Sequence, residues 1–213
     1  MQAYYELHAG SGPRQVRARR VFGAVANMGT ALSKDPVIFM KPPEAVITEG
    51  ENIRVPPGET ALFEGELVVA IGHDGRNISP QNAMRYVAGY GAGLDMTLER
   101  FRTNREEGVP WALAKGFDTS ACVSNFIAAA EVPDYRKLTV ELEHNGELKQ
   151  QGSLADLITP IPELIAWISR FIALVPGDLI FVGTPPGAAP VEPEDRLTVR
   201  VPGVAEATFN VGW

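Results

Sequence analysis

The hydrophobic pattern of the chain changes period several times, and each change predicts an element. "ALFEGELVVAIG" (61–72) is apolar almost throughout and reads as a buried strand. Leu138, Val140 and Leu142 alternate with Thr139, Glu141 and Glu143, and Asn145-Gly146 then leads into a second strand. That is a hairpin, because both turn residues tolerate positive φ. Ile161, Leu164, Ile165, Ile168, Phe171 and Ile172 recur at three- and four-residue spacing, which predicts an amphipathic helix over "IPELIAWISRFIAL". "PGDLIFVGTPPG" predicts a strand bounded by turns, and "DRLTVRVPGVAEATFNV" a closing hairpin.

The remaining segments are less regular. "ISPQNAMRYVAGYGAGLDM" predicts a short helix, with Ser79 as N-cap and Pro80 as its first residue, followed by a strand. Gly89, Gly91 and Gly93 break the helical run ahead of Asp95. "TLERFRTNREEGVPW" reads as a polar helix ending near Gly108 and Pro110. In "DPVIFMKPPEAVI" Pro42 and Pro43 divide two apolar runs, as at an edge or irregular strand. The four arginines of "RQVRARRVFGAV" suggest a solvated face. Strands outnumber helices and do not alternate with them regularly, so the pattern predicts a strand-rich α+β domain. No repeat of 20–50 residues is visible.

Composition narrows the function classes. With 213 residues, 45% hydrophobic and 21% charged, the chain has the make-up of one ordinary globular domain, with room for a small appendage. A net charge of −7 argues against a nucleic-acid partner, which calls for a basic surface. The single cysteine, Cys122, excludes an internal disulfide and reads as a small buried hydrophobe in a reducing compartment. No apolar run approaches a membrane span, and "MQAYYELHAG" lacks the regions of a signal peptide. The expectation is a cytoplasmic protein with no membrane partner.

Chemistry concentrates in three acids within apolar, strand-like surroundings: Glu64, Glu66 and Asp95. Strand side chains alternate, so Glu64 and Glu66 point the same way about 7 Å apart. Like charges on a mostly buried strand repel and resist leaving water. A hard divalent cation, Mg²⁺ or Mn²⁺, would resolve that cost, because it takes oxygen ligands and three carboxylates supply half an octahedral shell. A solvent-exposed face would resolve it as well. Lys115, between Trp111 and Phe117, fits either a surface lysine or a binder of a substrate carboxylate. Thr184, in "FVGTPPG", fits either a plain turn or an anion contact. His8, His73 and His144 lie far apart in turn-like surroundings. There is no Ser-His-Asp or Cys-His arrangement, no Walker loop and no dinucleotide fingerprint.

Taken jointly, "DPVIFMKP", "FEGELVVAIG", "YVAGYGAGLDMT", "GVPWALAKGFD", "LEHNGELKQQG", "PIPELIAWISRFIALVPGDLIFVGTPPG" and the closing hairpin resemble the fumarylacetoacetate hydrolase family. The resemblance is to its small members that act on acylpyruvates and oxaloacetate. It implies a mixed β-roll or β-sandwich, with a small N-terminal segment (1–35) before the catalytic domain (36–213), and a homodimer. It implies Glu64, Glu66 and Asp95 as ligands of Mg²⁺ or Mn²⁺, Lys115 as the catalytic or carboxylate-binding lysine, and Thr184 as a substrate contact. The implied substrate is a small 2-oxo acid handled through a metal-stabilised enolate.

Two departures from the family pattern bear on the reaction. Many hydrolytic members carry N-Y-x-x-H-x-x-E near the N-terminus, whose His and Glu activate water. Here the stretch is "RRVFGAVANM", with Ala24 at the His position and Asn27 at the Glu position, and neither is a base at neutral pH. Arg102 stands where a substrate-facing Gln usually lies and so offers a contact for a second carboxylate. Loss of the water-activating pair favours decarboxylation or tautomerisation. The alternatives are an acylpyruvate C–C bond hydrolase with another base, and a catalytically silent metal-binding paralogue.

Overall fold

A computed structural model describes residues 3–30, 32–103 and 110–212, with the side chains of Arg102 and Thr103 outside that description. The first half of the chain contributes β1 (Tyr4–Ala9), β2 (Gly12–Arg17), β3 (Val21–Ala24), β4 (Ile38–Lys41), β5 (Val46–Thr48), β6 (Ile53–Arg54), β7 (Ala61–Leu62) and β8 (Gly65–Ile71). After helix α1 (Pro80–Ala83) come β9 (Val87–Asp95), β10 (Thr97–Leu98), helix α2 (Glu99–Thr103) and helix α3 (Trp111–Gly116). The second half holds β11 (Ala121–Val123), β12 (Phe126–Ala128), β13 (Thr139–His144), β14 (Glu147–Ser153), helix α4 (Ile161–Phe171), β15 (Leu179–Phe181), β16 (Arg196–Val201) and β17 (Ala205–Gly212).

Ten strands form a curled mixed sheet whose main path runs β2-β1-β12-β9-β8-β15-β3-β4, with β11 bridging β9 and β5. A five-stranded sheet, β14-β13-β16-β17-β6, packs against it, and β7 pairs with β10. The fold is strand-rich α+β, as the pattern predicts. Residues 4–24 supply β1, β2 and β3 to the large sheet itself.

Strand β8 lies at the centre and explains its own composition. Leu67, Val69 and Ile71 pack with Leu142, Val199, Phe209 and the apolar face of α4 (Ile161, Leu164, Ile165, Ile168). Val68 and Ala70 on its other face pack with Tyr5, Phe126, Leu179 and Phe181 inside the curl. Both faces are covered, so the run is continuously apolar rather than alternating.

The hairpin forms where the sequence places it, and the long helix forms over Ile161–Phe171, ending before Ile172 and leaving Phe171 exposed rather than on the buried face. Asn145 (φ 53) and Gly146 (φ 82) both occupy the left-handed region that the hairpin turn requires. Three expectations are corrected. Gly89, Gly91 and Gly93 do not end a helix; they lie inside β9, where neighbouring atoms approach the backbone closely. Thr97 and Leu98 are strand rather than helix, so the polar helix starts at Glu99, its predicted end near Gly108 lies outside the described residues, and Trp111 belongs to helix α3, which carries Lys115. His8 and His144 are strand residues, and His144 Nε2 pairs with Asp195 Oδ2 at 2.7 Å. Pro42 does fall just past an edge strand, β4.

Candidate metal centre

The strand predicted over 61–72 is broken at Phe63-Glu64, and the break creates the site. Glu64 lies in the gap, where its carbonyl accepts the Asp95 N–H at 2.8 Å. Glu66, two residues on, pairs across the ladder with Gly93. Asp95, at the end of β9, pairs with Ala121. Two adjacent strand ends therefore deliver three carboxylates whose oxygens lie within 4.8 Å of one another. All three are buried, at 7%, 2% and 1% exposure for Glu64, Glu66 and Asp95, which removes the solvent-exposed reading.

Two ammonium groups face the acids. Lys115 Nζ lies 2.5 Å from Glu64 Oε2 and 2.5 Å from Asp95 Oδ2. Burial alone would lower its pKa, but Asp95 and Glu64 outweigh that and raise it above the usual lysine value. Lys41 Nζ lies 2.7 Å from Asp95 Oδ1 and donates to the carbonyls of Met96 (3.0 Å), Lys115 (2.6 Å) and Ser120 (2.9 Å). Here burial prevails over Asp95, and the ammonium is held below its ordinary pKa. Glu66 accepts the Gly183 N–H at 2.6 Å. Its pKa still stands well above the carboxylate range, first because it is buried and then because Asp95 and Glu64 repel its charge.

Three acids share two ammonium groups, so without a cation the third, Glu66, is driven toward its protonated form, and a bound cation would let it ionise. The three carbonyls take up the donor capacity of Lys41, so Asp95 Oδ1 has the ammonium nearby yet no aligned hydrogen bond. An all-oxygen, acid-rich donor set with such an orphaned oxygen fits a hard divalent cation held by Glu64, Glu66 and Asp95.

Glu64 and Glu66 line a cavity of about 660 Å³, with Asp95 buried behind them. Lys115 and Thr184 line it, and Ala24, Met28, Leu32, Trp111 and Pro186 give it apolar walls. Thr184 Oγ1 donates to Gly65 O at 2.9 Å, so its proton is committed to the main chain. The Arg102 side chain lies outside the described residues. Ala24 opens onto the cavity, but Asn27 turns away from it. Asn27 Nδ2 donates to Thr159 O (2.9 Å) and Val182 O (2.7 Å), and its Oδ1 accepts the Thr159 N–H at 2.7 Å.

Sequence reasoning missed Lys41 and Gln150. The one clue to Lys41 is a cation closing the apolar run "VIFM". Gln150 carries no signal, because it sits in a strand whose neighbours Lys149 and Gln151 are equally polar and exposed.

Curled mixed sheet, broken strand and buried acid triad together define a carboxylate-lined, metal-competent centre on a strand scaffold. Residues 15–211 match the family model described as fumarylacetoacetate (FAA) hydrolase C-terminal, and the chain belongs to this family. It is 39% identical over 189 residues to "Oxaloacetate tautomerase FAHD1, mitochondrial" of Homo sapiens, covering 88% of this chain and 86% of that one. The corresponding protein of Arabidopsis thaliana is 36% identical over 203 residues, covering 94% and 91%. Among solved structures, fumarylpyruvate hydrolase from Pseudomonas aeruginosa in complex with Mn²⁺ and pyruvate is 32% identical, with a TM-score of 0.90 over 100% of this chain and 97% of that one.

Proposed function

We propose that this chain is a divalent-metal-dependent enzyme acting on a small 2-oxo acid, by decarboxylation or tautomerisation. The carrying observation is the buried triad of Glu64, Glu66 and Asp95, two of whose members, Glu64 and Glu66, line a cavity together with Lys115. The relatives named as oxaloacetate tautomerases, and the neighbour holding Mn²⁺ and pyruvate, support the substrate class. Bound Mg²⁺ or Mn²⁺ would supply Lewis acidity to a chelating 2-oxo carboxylate and offset the charge of an enolate.

The chain's own residues do the rest. Lys115 projects its ammonium toward the acids and serves as carboxylate binder or proton relay. Thr184 and the turn after it form one wall, and Arg102 is assigned to a second carboxylate. Ala24 has no atom that can accept a proton and Asn27 spends its amide on the backbone, so neither activates water. Reactions that proceed without an attacking water are therefore favoured. The assembly we assign is a homodimer, which light scattering on a size-exclusion column would test.

Proton NMR with Mn²⁺ tests the reaction, with oxaloacetate and an acylpyruvate in separate tubes. Pyruvate from oxaloacetate above the metal-only blank supports decarboxylation, and faster keto–enol relaxation without net product supports tautomerisation. Pyruvate plus a carboxylic acid from the acylpyruvate shows hydrolysis instead. No change in either tube overturns the assignment in favour of a silent metal-binding paralogue.

A further inference from the structure

The hairpin β13–β14 belongs to the smaller sheet and takes no part in the chemistry above, yet one of its side chains reaches the backbone between the two glutamates. Strand β15 pairs with β8 only as far as Phe181↔Val68. Beyond it, Val182 N–H still bonds Leu67 O at 3.2 Å, and the chain then turns away at Gly183 (φ 125). The two strands part and leave a wedge at Gly65, the residue between the two glutamates. A gap in a buried ladder strands an amide and a carbonyl, which must find other partners.

Side chains fill the gap. Gln150, 1% exposed, accepts the Gly65 N–H on Oε1 at 2.9 Å. Its Nε2 donates to Thr184 Oγ1 (2.9 Å) and Pro185 O (2.6 Å). Thr184 Oγ1 in turn donates to Gly65 O at 2.9 Å. Both peptide groups of Gly65 are thus bound by the Gln150–Thr184 pair. The hairpin is pressed against both sides of the wedge: a Cβ at Gly65 would lie 3.0 Å from Leu142 Cβ, and one at Gly152 would lie 2.7 Å from Pro185 Cβ.

We propose that Gln150 is a positioning residue, setting the distance between the Glu64–Glu66 segment and the 183–187 turn and so the geometry in which the carboxylates hold a cation. This rests on the metal-centre reading above. Glu66 makes the link concrete, since it accepts its hydrogen bond from Gly183, on the far side of the wedge.

The test is Mn²⁺ binding to Gln150→Met, followed by electron paramagnetic resonance, with circular dichroism to confirm folding. Methionine keeps the length and removes all three hydrogen bonds. The expected result is a Kd raised about 10–100-fold, the range typical of lost supports around metal ligands, and an altered bound-Mn²⁺ spectrum at saturation. Gln151→Met, at an exposed neighbour bonded to Glu141, should match wild type in both. Wild-type Kd and spectrum in Gln150→Met overturn the proposal. If that variant does not fold, Gln150→Glu replaces it, retaining the acceptor for Gly65 and losing the donor to Pro185. Its added charge alone would tighten Mn²⁺, so weaker binding supports positioning and equal or tighter binding overturns it. A wild-type protein that binds no Mn²⁺ overturns the metal-centre reading and this proposal together. Intact wild-type binding with an unaffected Gln150→Met overturns this one alone.

Discussion

Lys41 Nζ and Asp95 Oδ1 face each other at 2.7 Å, with side-chain exposures of 0% and 1%. A buried pair of this kind is costly to assemble and costlier to halve. Lys41→Met leaves the Asp95 carboxylate without one of its two counter-charges and three carbonyls without a donor. We expect a loss of about 3–5 kcal/mol in urea unfolding of the metal-free protein. A loss under about 1 kcal/mol, the range of exposed pairs, would show that Lys41 carries no structural charge.

Glu66→Gln separates stability from function. Glutamine resembles the protonated acid that burial favours at this position. The metal-free variant should melt at or above the wild-type temperature, while Mn²⁺ should no longer raise that temperature and turnover should vanish. A variant that keeps the Mn²⁺-induced rise would remove Glu66 from the ligand set.

The pH dependence of the metal-free and metal-loaded proteins should run in opposite directions. Glu66 holds its proton more tightly folded than unfolded, where a glutamate titrates near about 4.3. Its contribution to metal-free stability is full below that value and is lost as pH rises through the elevated folded pKa. A cation needs the ionised form, so metal affinity falls as pH drops through the same range. Melting curves in EDTA and in Mn²⁺ should diverge with rising pH, and the part due to Glu66 should disappear in Glu66→Gln. A gap constant across pH would count against ligation by Glu66.

Gly93 pairs with Glu66 and lies two residues from Asp95. A Cβ there would sit 2.6 Å from Val68 Cγ2, 2.7 Å from Cys122 O and 2.8 Å from Phe181 Cε1. One of these is backbone and cannot rotate aside. Gly93→Ala should cost about 1–3 kcal/mol by overpacking, read as a lower denaturation midpoint with an unchanged slope. Wild-type stability would show that β9 shifts freely.

The parts of the site that were legible from sequence are those with a local signature. Glu64 and Glu66 stand out because charge interrupts an apolar run, and the hairpin because Asn145-Gly146 has few other uses. The break at Phe63-Glu64 was not legible, because an unbroken strand has the same composition. Lys41 and Gln150 were hidden for a different reason. Each meets partners at least 55 and 34 residues away, respectively, in the bonds that define its role, to Met96, Lys115 and Ser120 or to Gly65, Thr184 and Pro185. Only the closed sheet brings those partners together. The glycines of β9 misled because glycine weakens helix and strand alike, and what decides is the neighbour pressed against it.

The clamp made by Asn27 also shapes which evolutionary routes remain open. At position 24 a larger side chain would enter the cavity. At position 27 a carboxylate could keep the bond from the Thr159 N–H but would turn an acceptor toward the carbonyls of Thr159 and Val182. A His-Glu pair at these two places is therefore not two independent substitutions: the first asks only for space, while the second must first rewire the crossing between three loops.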